Sequence, residues 1–250
     1  DFNIVKSRGQ AARSTLISPD VSICGDCLRE LFDPKDRRYL YPFINCTNCG
    51  PRYTIIDDIP YDRPTTSMRH FKLCNACQSE YDDPTDWRFH AQPNACVDCG
   101  PSLWLESGTG EAVSGDPLAG AVDAIRQGAI VAVRGVGGFH LVCGSGNDAA
   151  VRELRRRKHR PGKPLAVMGL NPRSLELFVS LTKSGKAQLA ATVAPIVLQD
   201  RRSDSSYPLA RELAPGLDRL GVMLPHTPVH WLLFHEWMGR PGGMDWLTQV

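Results

Sequence analysis

The sequence has no apolar run approaching the roughly 20 residues needed to span a bilayer, and no stretch reads as a cleavable signal peptide. The nine cysteines are therefore expected to stay reduced, as thiols do in the cytoplasm. Charge is also scarce in net terms. A balance of +2 over 250 residues gives no global pull toward nucleic acid or a membrane surface. Residues 1–110 are poor in Ile, Val and Leu and rich in Cys, Pro, Asp and Arg, so that part has too little apolar material to fold on hydrophobic burial alone. The G-x4-G-K-S/T pattern is absent, which excludes a Walker-type phosphate loop.

What the first part has is cysteine. Eight of the nine lie between Cys24 and Cys99 as C-x2-C-x18-C-x2-C-x24-C-x2-C-x18-C-x2-C. The second half copies the first at an offset of 50 residues, so that Cys24, Cys27, Cys46 and Cys49 become Cys74, Cys77, Cys96 and Cys99. Glu30, Asp33, Pro34, Asp36, Arg38, Gly50 and Pro51 recur as Glu80, Asp83, Pro84, Asp86, Arg88, Gly100 and Pro101, which argues for duplication of one small module. Two C-x2-C turns supply four thiolates to one tetrahedral ion, the closed arrangement of structural Zn2+. Such a site leaves no position for water, so these sites are expected to stabilise the fold rather than catalyse. Ligands are assigned within each repeat, although an interleaved pairing satisfies the same spacing. Disulfides and a redox C-x2-C are the competing readings. His90 is read as structural, because four cysteines already complete its module, and Cys143 as a buried thiol.

The remaining pattern divides the chain into a lead-in (1–20), a first C4 module (21–52), a connector (53–73), a second C4 module (74–105), a Gly/Ser-rich hinge (106–115) and an α/β domain (116–250). An edge strand is expected at Phe2–Val5, a short helix at Cys24–Phe32, a β-type run at Tyr53–Ile56 and a helix capped near Thr66. Arg63, Arg69 and Lys72 suit internal salt bridges as well as they suit phosphate. Beyond the hinge, Asp116-Pro117 starts a helix to about Gln127, and Ala129–Val133 reads as a buried strand. A second strand follows at Phe139–Cys143, a helix capped by Asn147 runs to about Arg157, and a strand is expected at Leu165–Met168. Helices are expected after Asn171-Pro172 and after Thr182, a strand at Ile196–Gln199, and a helix at Pro228–Trp237 with Leu220–Leu224 nearby as core.

Two features there could carry chemistry. Arg134-Gly-Val-Gly-Gly138 is a glycine-rich turn between apolar strands, where a ligand can approach the backbone. Arg157-Lys-His-Arg-Pro-Gly-Lys-Pro164 packs basic side chains into a helix-to-strand junction and suits a polyphosphate. A solvated charge run at a helix C-terminus is the competing explanation of the second.

The strings NCTNCGPRYTII, DRPTTSM and EYDDPTDWRFHAQPNACVDCGP, with all eight cysteine positions, resemble the zinc-finger region of the HypF carbamoyltransferase family, which matures nickel–iron hydrogenases. AIVAVRGVGGFHLVC, LRRRKHRPGKPLAVM and MLPHTPVHWLLF resemble the YrdC-like domain that follows it. The resemblance implies an α+β or α/β fold: two small tetracysteine zinc modules, then a YrdC-like α/β domain with a twisted mixed sheet, incomplete at its C-terminus. It implies that carbamoyl phosphate is cleaved elsewhere in the protein. Carbamate is then adenylated with ATP, with Mg2+ expected, and the carbamoyl group passes to the C-terminal cysteine of a HypE-type acceptor to make cyanide ligands. By the same resemblance Lys158 and Arg160 act on the ATP phosphates with Lys163 just beyond, Arg134 stands where related domains carry Lys, and Gly137, Gly138 and His140 line the substrate side.

The Ser/Thr-Ser-x-Asn segment that usually completes such a nucleotide site is absent, and so are the acylphosphatase and transfer domains. The chain is accordingly read as an internal fragment whose activity belongs to a longer parent. The competing classes are a zinc-stapled module that grips protein, similar to the cysteine-rich region of DnaJ chaperones, an RNA-binding module, and a threonylcarbamoyl-adenylate synthase. Near-neutral charge and the lack of an aromatic stacking ladder count against RNA. No membrane association is expected.

Overall fold

A computed structural model describes residues 16–250. The edge strand expected at Phe2–Val5 lies outside the described residues. Each zinc module opens with a cysteine in extended conformation that caps a short helix. Cys24 precedes α1 (Gly25–Phe32), and its Sγ accepts the Cys27 N–H at 3.4 Å. Cys74 precedes α2 (Asn75–Asp82). Both helices end at an extended Asp, Asp33 or Asp83, followed by proline, which supplies no N–H to continue the turn.

The two modules are not beads on a string. Each sends one arginine into the other, following the 50-residue offset of the repeat. Arg38 is 2% exposed. It donates from Nε to Ala95 O at 2.9 Å, from Nη1 to Glu80 Oε1 at 3.0 Å and from Nη2 to Asn94 Oδ1 at 2.9 Å, and it pairs with Glu80 Oε2. Arg88, also 2% exposed, donates from Nε to Asn45 O at 3.0 Å and pairs with Glu30. Each guanidinium also faces a metal-site sulfur of the other module, Arg38 that of Cys77 at 3.7 Å and Arg88 that of Cys27 at 3.9 Å. A buried arginine needs its donors satisfied and its charge matched. Here the opposite repeat does both.

The connector departs from expectation. Tyr53–Ile55 is a turn of 3-10 helix, not a strand. The Asp20 carboxylate accepts the N–H groups of Arg52 (2.7 Å) and Thr54 (3.0 Å), which a strand would have needed for its ladder. Only Ile56 bridges, to Thr66. Thr66 does cap a helix as expected, but a single 3-10 turn (Ser67–His70) that ends before Cys74. Arg63 donates to the carbonyls of Gln92, Asn94 and Phe71, and Arg69 pairs with Asp57, so both serve the fold.

The hinge folds into a small antiparallel hairpin, β1 (Leu105–Glu106) with β2 (Ala112–Val113). Then α3 (Pro117–Arg126) starts where expected, with the Asp116 carboxylate accepting the N–H groups of Leu118 and Ala119. β3 (Val131–Arg134) and β4 (Phe139–Val142) pair antiparallel as an isolated ribbon. The buried strand expected at Ala129–Val133 is therefore only half buried. Val133 is inside, Ala132 and Arg134 are exposed, and Phe139 is 61% exposed, because a two-stranded ribbon that pairs with no other strand among the described residues has one face left over.

The rest forms a second layer. α4 (Asp148–Arg157) is capped by Asn147 and buries Ala150, Val151, Leu154 and Arg155. β5 (Val167–Met168), α5 (Pro172–Leu175), β6 (Val179–Ser180), α6 (Lys183–Leu189), β7 (Val197–Arg201), β8 (Arg219–Met223) and α7 (Pro228–Trp237) follow in turn. The sheet order is β5-β8-β7-β6, with β5 parallel to β8 and the other pairs antiparallel, which is the expected mixed sheet. Val151, Val167, Leu175, Val179, Val197, Leu220 and Val222 are among the residues that form its core.

A second core crosses from the zinc unit into the α/β part. Leu31, Phe32, Tyr41, Ile44, Ile55 and Met68 pack with Leu170, Leu232 and Trp246. Trp246, in the tail after α7, is 1% exposed and meets Phe32 edge-on at 5.0 Å. Asn171 fastens this tail by donating to the carbonyls of Leu247 (2.8 Å) and Gln249 (2.6 Å).

Candidate functional site

The eight cysteine sulfurs gather into two groups, Cys24/Cys27/Cys46/Cys49 and Cys74/Cys77/Cys96/Cys99. Each group belongs to one repeat. Sulfur separations run from 3.6 to 3.8 Å, as between Cys24 and Cys46 (3.7 Å), Cys46 and Cys49 (3.8 Å), Cys74 and Cys96 (3.8 Å) and Cys77 and Cys99 (3.6 Å). A disulfide needs about 2.05 Å, and all nine cysteines are free. A tetrahedron of sulfurs around zinc at about 2.3 Å has edges of about 3.8 Å, so both donor sets fit structural Zn2+. Four crowded thiols cannot ionise together without a cation. Hydrogen bonds among them, first with Cys24, push Cys27 up, while the Cys27 bond pulls Cys24 down. The second pair of each set sits in a tight turn, where Asn48 N–H donates to Cys46 Sγ at 3.3 Å and Gly50 follows at a φ of +94°.

The surroundings of the two sites differ in one respect. Arg37 donates to Cys77 Sγ at 2.8 Å and to both Glu80 oxygens (3.0 and 2.9 Å). Its counterpart in the second repeat is Trp87, which has no such donor. The Cys77 sulfur therefore faces two guanidinium groups and the Cys27 sulfur one. His90 is held against Tyr81 and Phe89 and joins neither sulfur group. Cys143 packs at the edge of the sheet core, and burial pushes its thiol up.

The glycine-rich turn joins β3 to β4, closed by Gly135 N–H donating to Gly138 O at 2.9 Å. Gly137 takes a φ of +84°, and a Cβ there would stand 3.9 Å from Thr54 Oγ1 of the connector, so the zinc unit borders this turn. Arg134 lies over the Phe139 ring at 5.5 Å.

The basic loop follows α4. Its shape comes from Arg155, two residues before the basic run begins. Arg155 is buried and donates to the carbonyls of Arg160, Pro161 and Lys163, and to those of Glu212 and Leu213. Its neighbours Arg156 and Arg157 pair with Glu153. Among the described residues, Lys158, Arg160 and Lys163 have no carboxylate partner, and Arg160 Nε is buried with no acceptor. A groove beside α4 is lined by Arg152, Arg156, His159, Arg160 and Glu212. Three unpaired cations on a loop pinned from inside differ from a solvated run, and they can meet a polyanion. No hydrogen bond or ring contact among the described residues joins this loop to the glycine turn.

His140, paired opposite Val133 in the ribbon, meets two histidines that had no assigned role, His226 and His230. His140 Nδ1 is 3.1 Å from His230 Nε2. The His226 and His230 rings meet edge-on at 4.5 Å. Burial pushes His226 down, and it pushes His230 down to about 3, with the neighbouring imidazoles adding to both. The sequence signal was the pair in Pro-His226-Thr-Pro-Val-His230, which brackets a helix N-terminus where Thr227 is the cap.

A family description of the HypF finger matches residues 23–56 and 73–106, and one of the Sua5, YciO and YrdC proteins, described as telomere recombination, matches residues 123–241. The chain is 54% identical over 244 residues to carbamoyltransferase HypF2 of Cupriavidus necator, covering 97% of this chain and 30% of that protein. It is 52% identical over 234 residues to carbamoyltransferase HypF of Synechocystis, covering 93% of this chain and 30% of that protein. A crystal structure of full-length HypF in the phosphate- and nucleotide-bound form superposes with a TM-score of 0.81 at 50% identity, over 88% of this chain and 28% of that one. The chain thus spans about 30% of the length of the curated relatives it matches.

Proposed function

Because the chain belongs to the HypF family, whose zinc-finger region and YrdC-like domain it contains, we propose that it forms the part of a carbamoyltransferase that activates carbamate with ATP. The observation that carries this reading is the likeness, at 54% identity over 97% of the chain, to a protein named for carbamoyl transfer. In this reading Lys158, Arg160 and Lys163 hold the ATP phosphates. A carbamate oxygen attacks the α-phosphorus, the bond from that phosphorus to the β-bridging oxygen breaks, and pyrophosphate leaves with the electron pair. The cations stabilise charge that grows on the phosphoryl oxygens. Mg2+ is expected to accompany ATP. Gly137, Gly138 and His140 line the substrate side, and Arg134 stands at the strand end where related domains carry Lys. The zinc sites stabilise the unit that borders the glycine turn and take no part in the chemistry.

The rest of the reading concerns the whole protein. The carbamoyl-adenylate passes its carbamoyl group to the C-terminal cysteine of a HypE-type acceptor, from which the cyanide ligands of a nickel–iron hydrogenase are made, in the cytoplasm. No helix among the described residues is long and apolar enough to cross a membrane. A mixed anhydride of this kind hydrolyses readily, and enclosure between domains protects it.

Pyrophosphate release from ATP by the full-length protein tests the assignment, with and without carbamoyl phosphate. Release that requires carbamoyl phosphate and falls at least tenfold in Lys158→Ala/Arg160→Ala is expected. Equal release from both proteins returns the basic loop to a solvated surface.

A further inference from the structure

The α/β part contains a second donor set, apart from the cysteine repeat, and one of its members, His140, also borders the proposed substrate side. His140 comes from β4, His226 from the segment after β8, and His230 from the first turn of α7. One ligand atom from each lies within 4.8 Å of the other two. His226 and His230 are near neighbours in sequence, but His140 lies 90 residues from His230 and does not reach them through local propensity. The fold brings them together.

We propose that His140, His226 and His230 form a third metal site, which binds a borderline divalent transition ion such as Zn2+ through three imidazole nitrogens.

The argument rests on geometry and on unmet polar groups. The 3.1 Å between His140 Nδ1 and His230 Nε2 lies between the edges of about 2.9 Å and 3.4 Å that octahedral and tetrahedral ions with metal–nitrogen distances of about 2.0–2.1 Å require. Among the described residues the Nδ1 atom of His226 is buried with no hydrogen-bond partner, and His230 is 2% exposed. An orphan buried nitrogen is costly, and buried polar atoms without partners are uncommon in folded proteins. The rings contact one another, with His140 stacked on His230 at 14° and 5.1 Å, and His226 edge-on to His230. Their hydrogen bonds include no carboxylate that would make a charged pair.

Donor chemistry selects the ion. An all-imidazole set suits zinc, cobalt, nickel or copper and excludes Mg2+ and Ca2+, which take oxygen ligands. Three protein ligands leave a tetrahedral ion one open position, unlike the closed tetrathiolate sites. The His140 ring lies against the glycine turn, where a Cβ on Gly135 would stand 3.4 Å from His140 Cε1. A water or ligand oxygen in the open position would thus have the turn as a neighbour. The site itself does not depend on the proposed adenylation and can be tested without it.

Metal stoichiometry decides the matter. The protein, stripped and reloaded with excess Zn2+ and then freed of loosely held ion by gel filtration, is expected to retain three equivalents by atomic emission. His140→Gln and His226→Asn are each expected to retain two. Co2+ loading separates the site types. Thiolate sites give sulfur-to-cobalt charge transfer in the near ultraviolet, and the third equivalent is expected to add only weak visible bands. The charge-transfer signal also reports that the variants are folded, and His140→Gln alters a half-exposed side chain on the ribbon. Two equivalents in the wild type, three in both variants, or a third cobalt with thiolate charge transfer would each overturn the proposal.

Discussion

Arg88→Met is expected to destabilise the zinc unit more than its symmetry mate Arg38→Met. Both substitutions keep side-chain volume and remove a guanidinium that is 2% exposed. Breaking a buried ion pair from one side costs about 3–5 kcal/mol, because the partner charge stays buried and alone. Among the described residues, Glu30, whose side chain is 15% exposed, has no other arginine once Arg88 is gone. Glu80 keeps Arg37, which bonds both of its oxygens. Arg88→Met therefore falls toward the upper end of that range, and Arg38→Met sits lower by about 1 kcal/mol, the worth of a partly exposed pair. Urea unfolding at a fixed saturating zinc concentration, followed by circular dichroism, measures both. Arg88→Met/Glu30→Leu is expected to recover most of the loss, since no charge is then left unpaired. A loss below about 1 kcal/mol for Arg88→Met would mean that the clasp behaves as a surface pair, and a larger loss for Arg38→Met would refute the role given to Arg37.

Two further outcomes follow from the same reasoning. Arg155→Met removes the donor shared by three loop carbonyls and by those of Glu212 and Leu213, so it should lower stability by about 3 kcal/mol and weaken ATP binding although Lys158 and Arg160 remain; unchanged ATP affinity by titration calorimetry would separate the loop from the nucleotide. His230, ordinarily near 6.5 and held at about 3 in the fold, leaves the unfolded chain binding more protons below neutral pH, so stability falls as pH falls. With two equivalents of zinc bound, the wild type should lose about 1.3 kcal/mol relative to His230→Gln between pH 7 and 5.5, and a gap that stays flat over that interval would contradict the burial of a neutral imidazole.

Much was legible because its signals are local. The C-x2-C spacing and the offset of 50 announce two tetrathiolate sets before any coordinates exist, since a C-x2-C turn presents both sulfurs to one ion. Asp116, Asn147 and Thr182 mark helix starts within a residue, because a cap bonds N–H groups two or three positions ahead. The cations at Lys158, Arg160 and Lys163 were visible as a cluster. Their freedom from carboxylates was not, because that depends on Glu153 choosing Arg156 and Arg157.

What tertiary structure alone decided spans long separations. Nothing near Arg38 says that its partner is Glu80 rather than Glu30, since the repeat makes both equivalent on paper. Arg155 has no signal of its own along the chain and is the peg on which the basic loop hangs. The strand at Ala129–Val133 has a buried composition yet sits in a two-stranded ribbon, so composition overstated its burial. Trp246 is buried against Phe32 from the far end of the chain, and His140 meets His226 and His230 across about 90 residues. Spacing and capping follow from bonds between near neighbours and can be read along the chain. These contacts follow from which faces remain to be covered once the elements exist, and that is set by packing in three dimensions.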